Sequence, residues 1–196
     1  MLVLASASKT RADMLRNGGV TFSVRPAQID EMSITAALLA EGATPRDIAD
    51  SLAEMKAKRG AGRDPQSLVL GVDQVLSCEG AIISKATNLA EAADTLRFLR
   101  GKTHMLFSAA VIYESNAPVW RHVGQASLQM RGFTDGFLQG YIERCGDAVL
   151  SSVGCYHIEG EGAQLFDKVA GDWFTVLGMP LLEILGFLRM RGLLPE

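Results

Sequence analysis

Residues 1–15, Met1-Leu2-Val3-Leu4-Ala5-Ser6-Ala7-Ser8-Lys9-Thr10-Arg11-Ala12-Asp13-Met14-Leu15, contain the change of periodicity that decides the fold. Leu2 to Leu4 form a short apolar run, Ser6 and Ser8 supply a polar turn, and Ala12, Met14 and Leu15 open an amphipathic pattern that Gly18 can stop. A buried strand feeding directly into a helix is the opening of an α/β protein. With Ser8 as N-cap, Lys9 and Arg11 fall in the first helical turn, where the positive end of the helix dipole repels cations. Free backbone N–H groups, two hydroxyls and two cations at one helix start describe an anion site, and phosphate is the usual anion. An ordinary strand-turn-helix with solvated basic side chains fits this stretch equally well.

The chain has 196 residues, which suits one domain spanning 1–196, or one domain with two lobes. Such a chain buries roughly 70% of its unfolded surface without staples. With 19 basic and 22 acidic residues the net charge is −3, so no polyanion-binding surface is expected and any nucleotide-like ligand is small and locally held. Cys78, Cys145 and Cys155 form no CxxC pair, which argues against a disulfide framework and for a reducing compartment. No basic leader and no stretch of about 18 apolar residues is present, so a soluble cytoplasmic protein without a membrane partner is the expectation.

Strand-like runs alternate with helical patterns. Phe22 to Arg25 reads as a second strand; Ser33 and Thr44-Pro45 read as helix starts, the latter with proline at the first helical position and a helix reaching about Gly60. Ser67 to Leu76 is a buried strand, turned by Glu79-Gly80 into Ala81 to Ser84. Asn88 and Glu91 resemble a capping box for a helix ending near Gly101. Met105–Tyr113 and Val119–Met130 suggest a long hairpin over residues 115–118, and Thr134 caps a helix reaching Cys145. A short hairpin around Ala170-Gly171-Asp172 and a helix from Pro180 to Gly192 close the chain. The expected fold is α/β, a mixed sheet of parallel and antiparallel pairs with flanking helices.

Several polar residues stand where apolar ones belong. On the helix from Pro45, Ile48, Ala49, Leu52, Ala53 and Met55 are read on one face with Lys56 inside the stripe; either the ammonium meets an anion or the side chain snorkels to water. Asp73 interrupts the strand Leu68-Val69-Leu70-Gly71-Val72, and burying its carboxylate alone would cost several kcal/mol. It is therefore paired, metal-bound, held by a turn, or at the strand's carboxyl end where α/β folds place ligands. Lys85 ends the next strand, and hairpin pairing would bring it near Asp73; a surface lysine is the alternative. Asp30-Glu31 is a paired carboxylate suited to Mg²⁺ or Mn²⁺, or a solvated loop pair. Between Ser151 and Gly162, Gly154, Gly160 and Gly162 imply tight backbone, and Cys155 with His157 lacks the second pair that zinc requires. His104 and His122 read as hydrogen-bonded strand residues.

In order, residues 4–11 (LASASKTR), Asp30-Glu31, residues 52–57 (LAEMKA), Gly71-Val72-Asp73-Gln74-Val75, Ser84-Lys85-Ala86 and the segment ending Gly178-Met179-Pro180-Leu181 resemble the Maf family of nucleoside triphosphate pyrophosphatases along essentially the whole chain. The resemblance implies a fold like that of inosine triphosphate pyrophosphatases, two lobes around a central cleft, commonly a homodimer, and divalent-metal-dependent release of pyrophosphate. Position by position it implies Ser8 and Arg11 at the phosphate-binding start, Glu31 and Asp73 at the metal and water site, and Lys56 and Lys85 in phosphate neutralisation, with Asp73 matching the proton acceptor. Thr10 in place of a second arginine, Ser152 in place of a lysine and Glu159 in place of a glutamine resemble the subgroup associated with 7-methyl-GTP rather than that associated with dTTP and UTP.

The implied reaction is attack of water on the α-phosphorus, which needs charge neutralisation and alignment more than a covalent nucleophile. For the base, a Glu159 carboxylate can accept from both N1–H and the amino group of guanine, and Glu161 or Tyr156 would suit a cationic methylated purine. A dTTP/UTP pyrophosphatase and a non-catalytic nucleotide-sensing regulator of cell division are the competing readings. A kinase is disfavoured because no G-x-x-x-x-G-K-[ST] loop is present.

Overall fold

The computed structural model describes residues 1–195 and begins as the sequence predicts: β1 (Leu2–Leu4) runs into α1 (Lys9–Asn17), capped by Ser8 and ended by Gly18. There follow β2 (Phe22–Val24), α2 (Glu31–Ala40), α3 (Pro45–Ala61), β3 (Leu68–Cys78), β4 (Ala81–Ile83), α4 (Leu89–Leu99), β5 (Thr103–Glu114), β6 (Ala117–Met130), α5 (Asp135–Cys145), β7 (Phe166–Ala170), α6 (Trp173–Val176) and α7 (Leu181–Met190). Strand order is β2-β1-β3-β5-β6-β7, with β4 on β3. The β1 pairs with β2 and β3 are parallel, while β3–β4 and β6–β7 are antiparallel, so the sheet is mixed as expected. The chain divides into two compact units, one formed by residues 1–74, 107–125 and the segment from 172 onward, the other by 75–106 and 126–171.

In the first unit the pleat sorts the sheet's residues. Leu2, Leu4, Leu68, Leu70 and Val72 join Ala12 and Leu15 of α1 and Ile184 and Leu188 of α7 in one core. Val69, Gly71 and Asp73 alternate to the opposite face, where α3 lies. A Cβ on Gly71 would overlap the Ala53 carbonyl and the Ala57 amide, so only glycine lets α3 approach β3 this closely. The helix itself is set by a complete capping box, Thr44 with Asp47, and by Pro45 in its first turn. Its buried stripe is Ile48, Ala49, Leu52, Ala53, Lys56, Ala57, Gly60 and Ala61. Met55 departs from the expected face and is exposed, because the buried stripe centres on Ala49, Ala53, Lys56 and Gly60 and leaves Met55, seven residues after Ile48, at its outer margin.

Three boundaries differ from the sequence reading for local reasons. Asp30, not Ser33, caps α2: its carboxylate accepts from the Ser33 N–H at 3.1 Å and the Ser33 hydroxyl at 2.8 Å, so Ser33 is inside the helix. The turn between β5 and β6 uses only Ser115 and Asn116, both in the left-handed region, leaving Ala117-Pro118 within the strand. No hairpin closes on Ala170-Gly171-Asp172. Instead β7 pairs with β6, and Asp172 caps α6 by accepting from the Thr175 N–H at 2.7 Å. All three cysteines are free. Among the described residues no helix is long and apolar enough to cross a membrane.

The second unit buries a neutral histidine. His104 is fully enclosed, with Nε2 2.8 Å from the Tyr156 hydroxyl, Phe166 beside both rings, and Nδ1 buried without a hydrogen-bond partner. Desolvation lowers its pKa from 6.5 to about 4. Between those values the unfolded chain binds the extra proton, so stability rises with pH and is lost as pH falls through this window. Acidification from pH 7 to pH 5 is expected to cost about 2 kcal/mol through His104. Chemical denaturation at both pH values checks this; His104→Phe, which keeps a ring but cannot titrate, should show a correspondingly smaller pH dependence.

Candidate active site

At the start of α1, Ser8 acts as predicted: its hydroxyl accepts from the Arg11 N–H at 3.4 Å, and its own N–H donates to the Ser6 hydroxyl at 3.3 Å. Lys9 is exposed. Arg11 turns inward and binds three separate chain segments: Nε donates to Gly178 O at 3.0 Å, and Nη1 to Val72 O at 3.0 Å and to the Ser6 hydroxyl at 3.3 Å. Burial lowers the pKa of its guanidinium while Asp73 and Glu31 favour the charge. Arg11 therefore ties the helix start to the middle of β3 and to the 178 turn.

Lys56 and Asp73 are both buried, and they meet. The Lys56 ammonium lies 2.5 Å from Asp73 Oδ1 and 2.6 Å from Glu31 Oε1, so one cation spans two carboxylates. Glu31 reaches it from the first turn of α2, a helix with no buried residue although its sequence is largely apolar. Burial pushes the Asp73 carboxyl up from its ordinary value, opposed by Lys56 and then Arg11. The result is a carboxylate more basic than one in water, held by an ammonium that does not snorkel to solvent. The two carboxylates converge on the Lys56 ammonium itself, and their oxygens are hard donors of the kind Mg²⁺ or Mn²⁺ takes, often as one or two carboxylates plus substrate phosphates. Among the described residues no group of three or more His, Cys, Asp or Glu side chains is gathered for a metal.

Three contributors lay outside the sequence reading. Gln74 Nε2 donates to the Ser108 hydroxyl at 3.0 Å and to the Thr175 and Val176 carbonyls at 3.1 and 3.2 Å, and the Ser108 hydroxyl donates to Thr175 O at 2.7 Å. Together they fix the turn whose Gly178 carbonyl receives Arg11. Ser108, between Met105-Leu106-Phe107 and Ala109-Ala110-Val111-Ile112, was the available signal: a lone hydroxyl in a buried strand requires a partner.

Lys85 and Glu159 belong to the second unit, both exposed; Lys85 stands two residues beyond β4. Of the neighbours considered for a cationic purine, Tyr156 is buried against His104 and Phe166, and Glu161 is bound by Arg144 at 2.7 Å. Ser152 closes a turn with Tyr156, its hydroxyl donating to Tyr156 O at 2.8 Å and accepting from Tyr156 N–H at 3.0 Å.

The sequence reading offered the carboxyl end of a strand as one place for Asp73; because β3 continues to Cys78, Asp73 instead lies in mid-strand. The first unit thus defines an α/β protein with a capped helix start beside a carboxylate clasped by a buried ammonium, a helix start being where such folds bind anionic groups. The chain belongs to the Maf family, whose Maf-like protein model matches residues 1–191. A relative from Ruegeria pomeroyi, named nucleoside triphosphate pyrophosphatase, is 51% identical over 193 residues, 98% of this chain and 97% of that one. One from Rhizobium etli, named 7-methyl-GTP pyrophosphatase, is 46% identical over 191 residues, 97% of this chain and 96% of that one. The HAM1 protein of Coxiella burnetii overlays 66% of this chain and 72% of its own at a TM-score of 0.44 and 15% identity, and family membership rests on the sequence matches alone.

Proposed function

We propose that this Maf-family chain is a nucleoside triphosphate pyrophosphatase that hydrolyses its substrate between the α- and β-phosphates, with 7-methyl-GTP as its preferred substrate. The observation that carries the reaction is the buried Lys56 ammonium bridging Asp73 and Glu31 in the unit that also contains the Ser8-capped helix start. Water attacks the α-phosphorus, its proton passes to an Asp73 oxygen, the α-phosphorus to bridging-oxygen bond breaks, and pyrophosphate leaves. Asp73 suits this role because burial raises its basicity. Lys56 holds the carboxylate in place and supplies positive charge beside it, and the α1 N–H groups offer an anion cradle. A divalent cation, when bound, would be held by Asp73 and Glu31 and would supply charge neutralisation at the phosphates. Lys85 is assigned to the phosphates on the family resemblance.

Support for the purine comes from Glu159, whose carboxylate pairs with the guanine N1–H and amino group, and from the Rhizobium etli relative's name. Pyrophosphate release over 7-methyl-GTP, GTP, dTTP and UTP with Mg²⁺ or Mn²⁺ tests both levels. Glu159→Gln is expected to lower the guanine-to-uracil ratio of kcat/KM by about tenfold, one bidentate pair's worth. Preference for dTTP and UTP in the unaltered protein would overturn the 7-methyl-GTP assignment, and tight nucleotide binding without pyrophosphate release would overturn the enzyme.

A further inference from the structure

The Lys56 ammonium stands where the two proposed metal ligands converge. Its Nζ donates to Asp73 Oδ1 at 2.5 Å and forms an ion pair with Glu31 Oε1 at 2.6 Å. An ion of the Mg²⁺ type draws its ligand oxygens in to about 2.0–2.1 Å and takes one or two carboxylates. The oxygens that suit it are those already neutralised by an ammonium. On the far oxygens of the same carboxylates it would lie beside a buried like charge that little water screens.

The two cations of this unit's site differ in what holds them. Arg11 is pinned by its own chain, with Nε donating to Gly178 O and Nη1 to Val72 O, each at 3.0 Å. Among the described residues the Lys56 ammonium is held by Asp73 and Glu31 alone. Its flexible four-carbon stem lets the charge swing while α3 stays seated on β3. Glu31 also has room to move, since α2 has no buried residue. Asp73 is the fixed member, in the middle of β3 and only 6% exposed, and taking away its counter-charge without replacing it is costly. A lysine able to turn away, beside a carboxylate that requires a cation, is built for exchange of one positive group for another.

We propose that Lys56 is a resident counter-cation that yields the Asp73 and Glu31 oxygens when a divalent ion binds, so that ammonium and metal compete for one site. This rests on the reading that those two carboxylates hold the metal. The displaced ammonium turns toward the phosphates, the partner the family resemblance gives it. Two carboxylates and one ammonium sum to −1, and removing the ammonium leaves −2. Affinity for hard cations follows ligand charge, so Lys56→Met should bind Mn²⁺ about tenfold more tightly than the unaltered protein. Calorimetric titration at pH 8, which keeps the carboxylates ionised, compares it with Glu31→Gln and Asp73→Asn. Mn²⁺ should also raise the melting temperature of Lys56→Met further than that of the unaltered protein. In unaltered protein carrying ¹⁵N-labelled lysine, the Lys56 ammonium resonance should shift as Mg²⁺ is added and saturate together with binding. Unchanged or weaker Mn²⁺ affinity in Lys56→Met, with Glu31→Gln and Asp73→Asn weakening it, overturns the exchange and leaves the metal ligands standing. A Lys56 resonance that saturating Mg²⁺ leaves in place overturns it as well, whether or not Lys56→Met folds. Mn²⁺ binding that neither Glu31→Gln nor Asp73→Asn weakens overturns the metal assignment itself, and the exchange with it.

Discussion

Asp73→Asn is expected to lower pyrophosphate release by about 10²- to 10⁴-fold while leaving the protein folded. Asparagine keeps the shape of the side chain, and its Oδ1 can still accept from the Lys56 ammonium now 2.5 Å away. What disappears is the proton-accepting charge. Stability changes little because two opposing contributions go together: the desolvation that pushes the Asp73 carboxyl up, and the attraction of Lys56 and Arg11 that opposes it. Single-turnover pyrophosphate release with a parallel thermal melt separates chemistry from folding. Near-normal turnover in a well-folded variant removes Asp73 from the mechanism.

Lys56→Met is expected to harm both activity and stability. Methionine fills the apolar path of the lysine stem along α3 but leaves the buried Asp73 carboxylate without its ammonium; Glu31, far more exposed, can relax into water. Breaking a buried ion pair from one side costs about 3 kcal/mol, since the remaining charge has lost its compensation. The denaturant midpoint should fall with an unchanged slope, and turnover should fall more than 100-fold because Asp73 will protonate or move. The double variant Lys56→Met with Asp73→Asn should recover a large part of the lost stability and none of the activity, because no unpaired charge remains to be buried. A guanidinium at this position is no substitute: Lys56→Arg places a larger, planar group beside α3 where Gly71 already marks close contact with β3.

Much of this was legible because it is local. Ser8 as a cap, Thr44 before Pro45, and Asn88 with Glu91 before α4 are decided within three or four residues by which side chain can reach a free N–H. Lys56 and Asp73 were visible as violations, a cation in an apolar stripe and a carboxylate in an apolar strand. Where two local solutions competed, the sequence reading chose wrongly: Asp30 and Ser33 are both good caps, and the carboxylate won by taking two hydrogen bonds from Ser33 itself. At Asp172, a turn residue before Trp173-Phe174 looked like a hairpin and proved to be a cap.

The amino-acid order determined by itself the alternation of strand and helix, the helix caps, and the identity of the residues that had to find partners. Which partners they found was decided by the tertiary structure. Arg11 meets Gly178, 167 residues away, and one ammonium on α3 gathers carboxylates from α2 and β3. Periodicity shows that a charge is buried, but the low-dielectric site that makes its pairing obligatory exists only once β3, α2 and α3 have packed, and distance in space is not written in any local pattern.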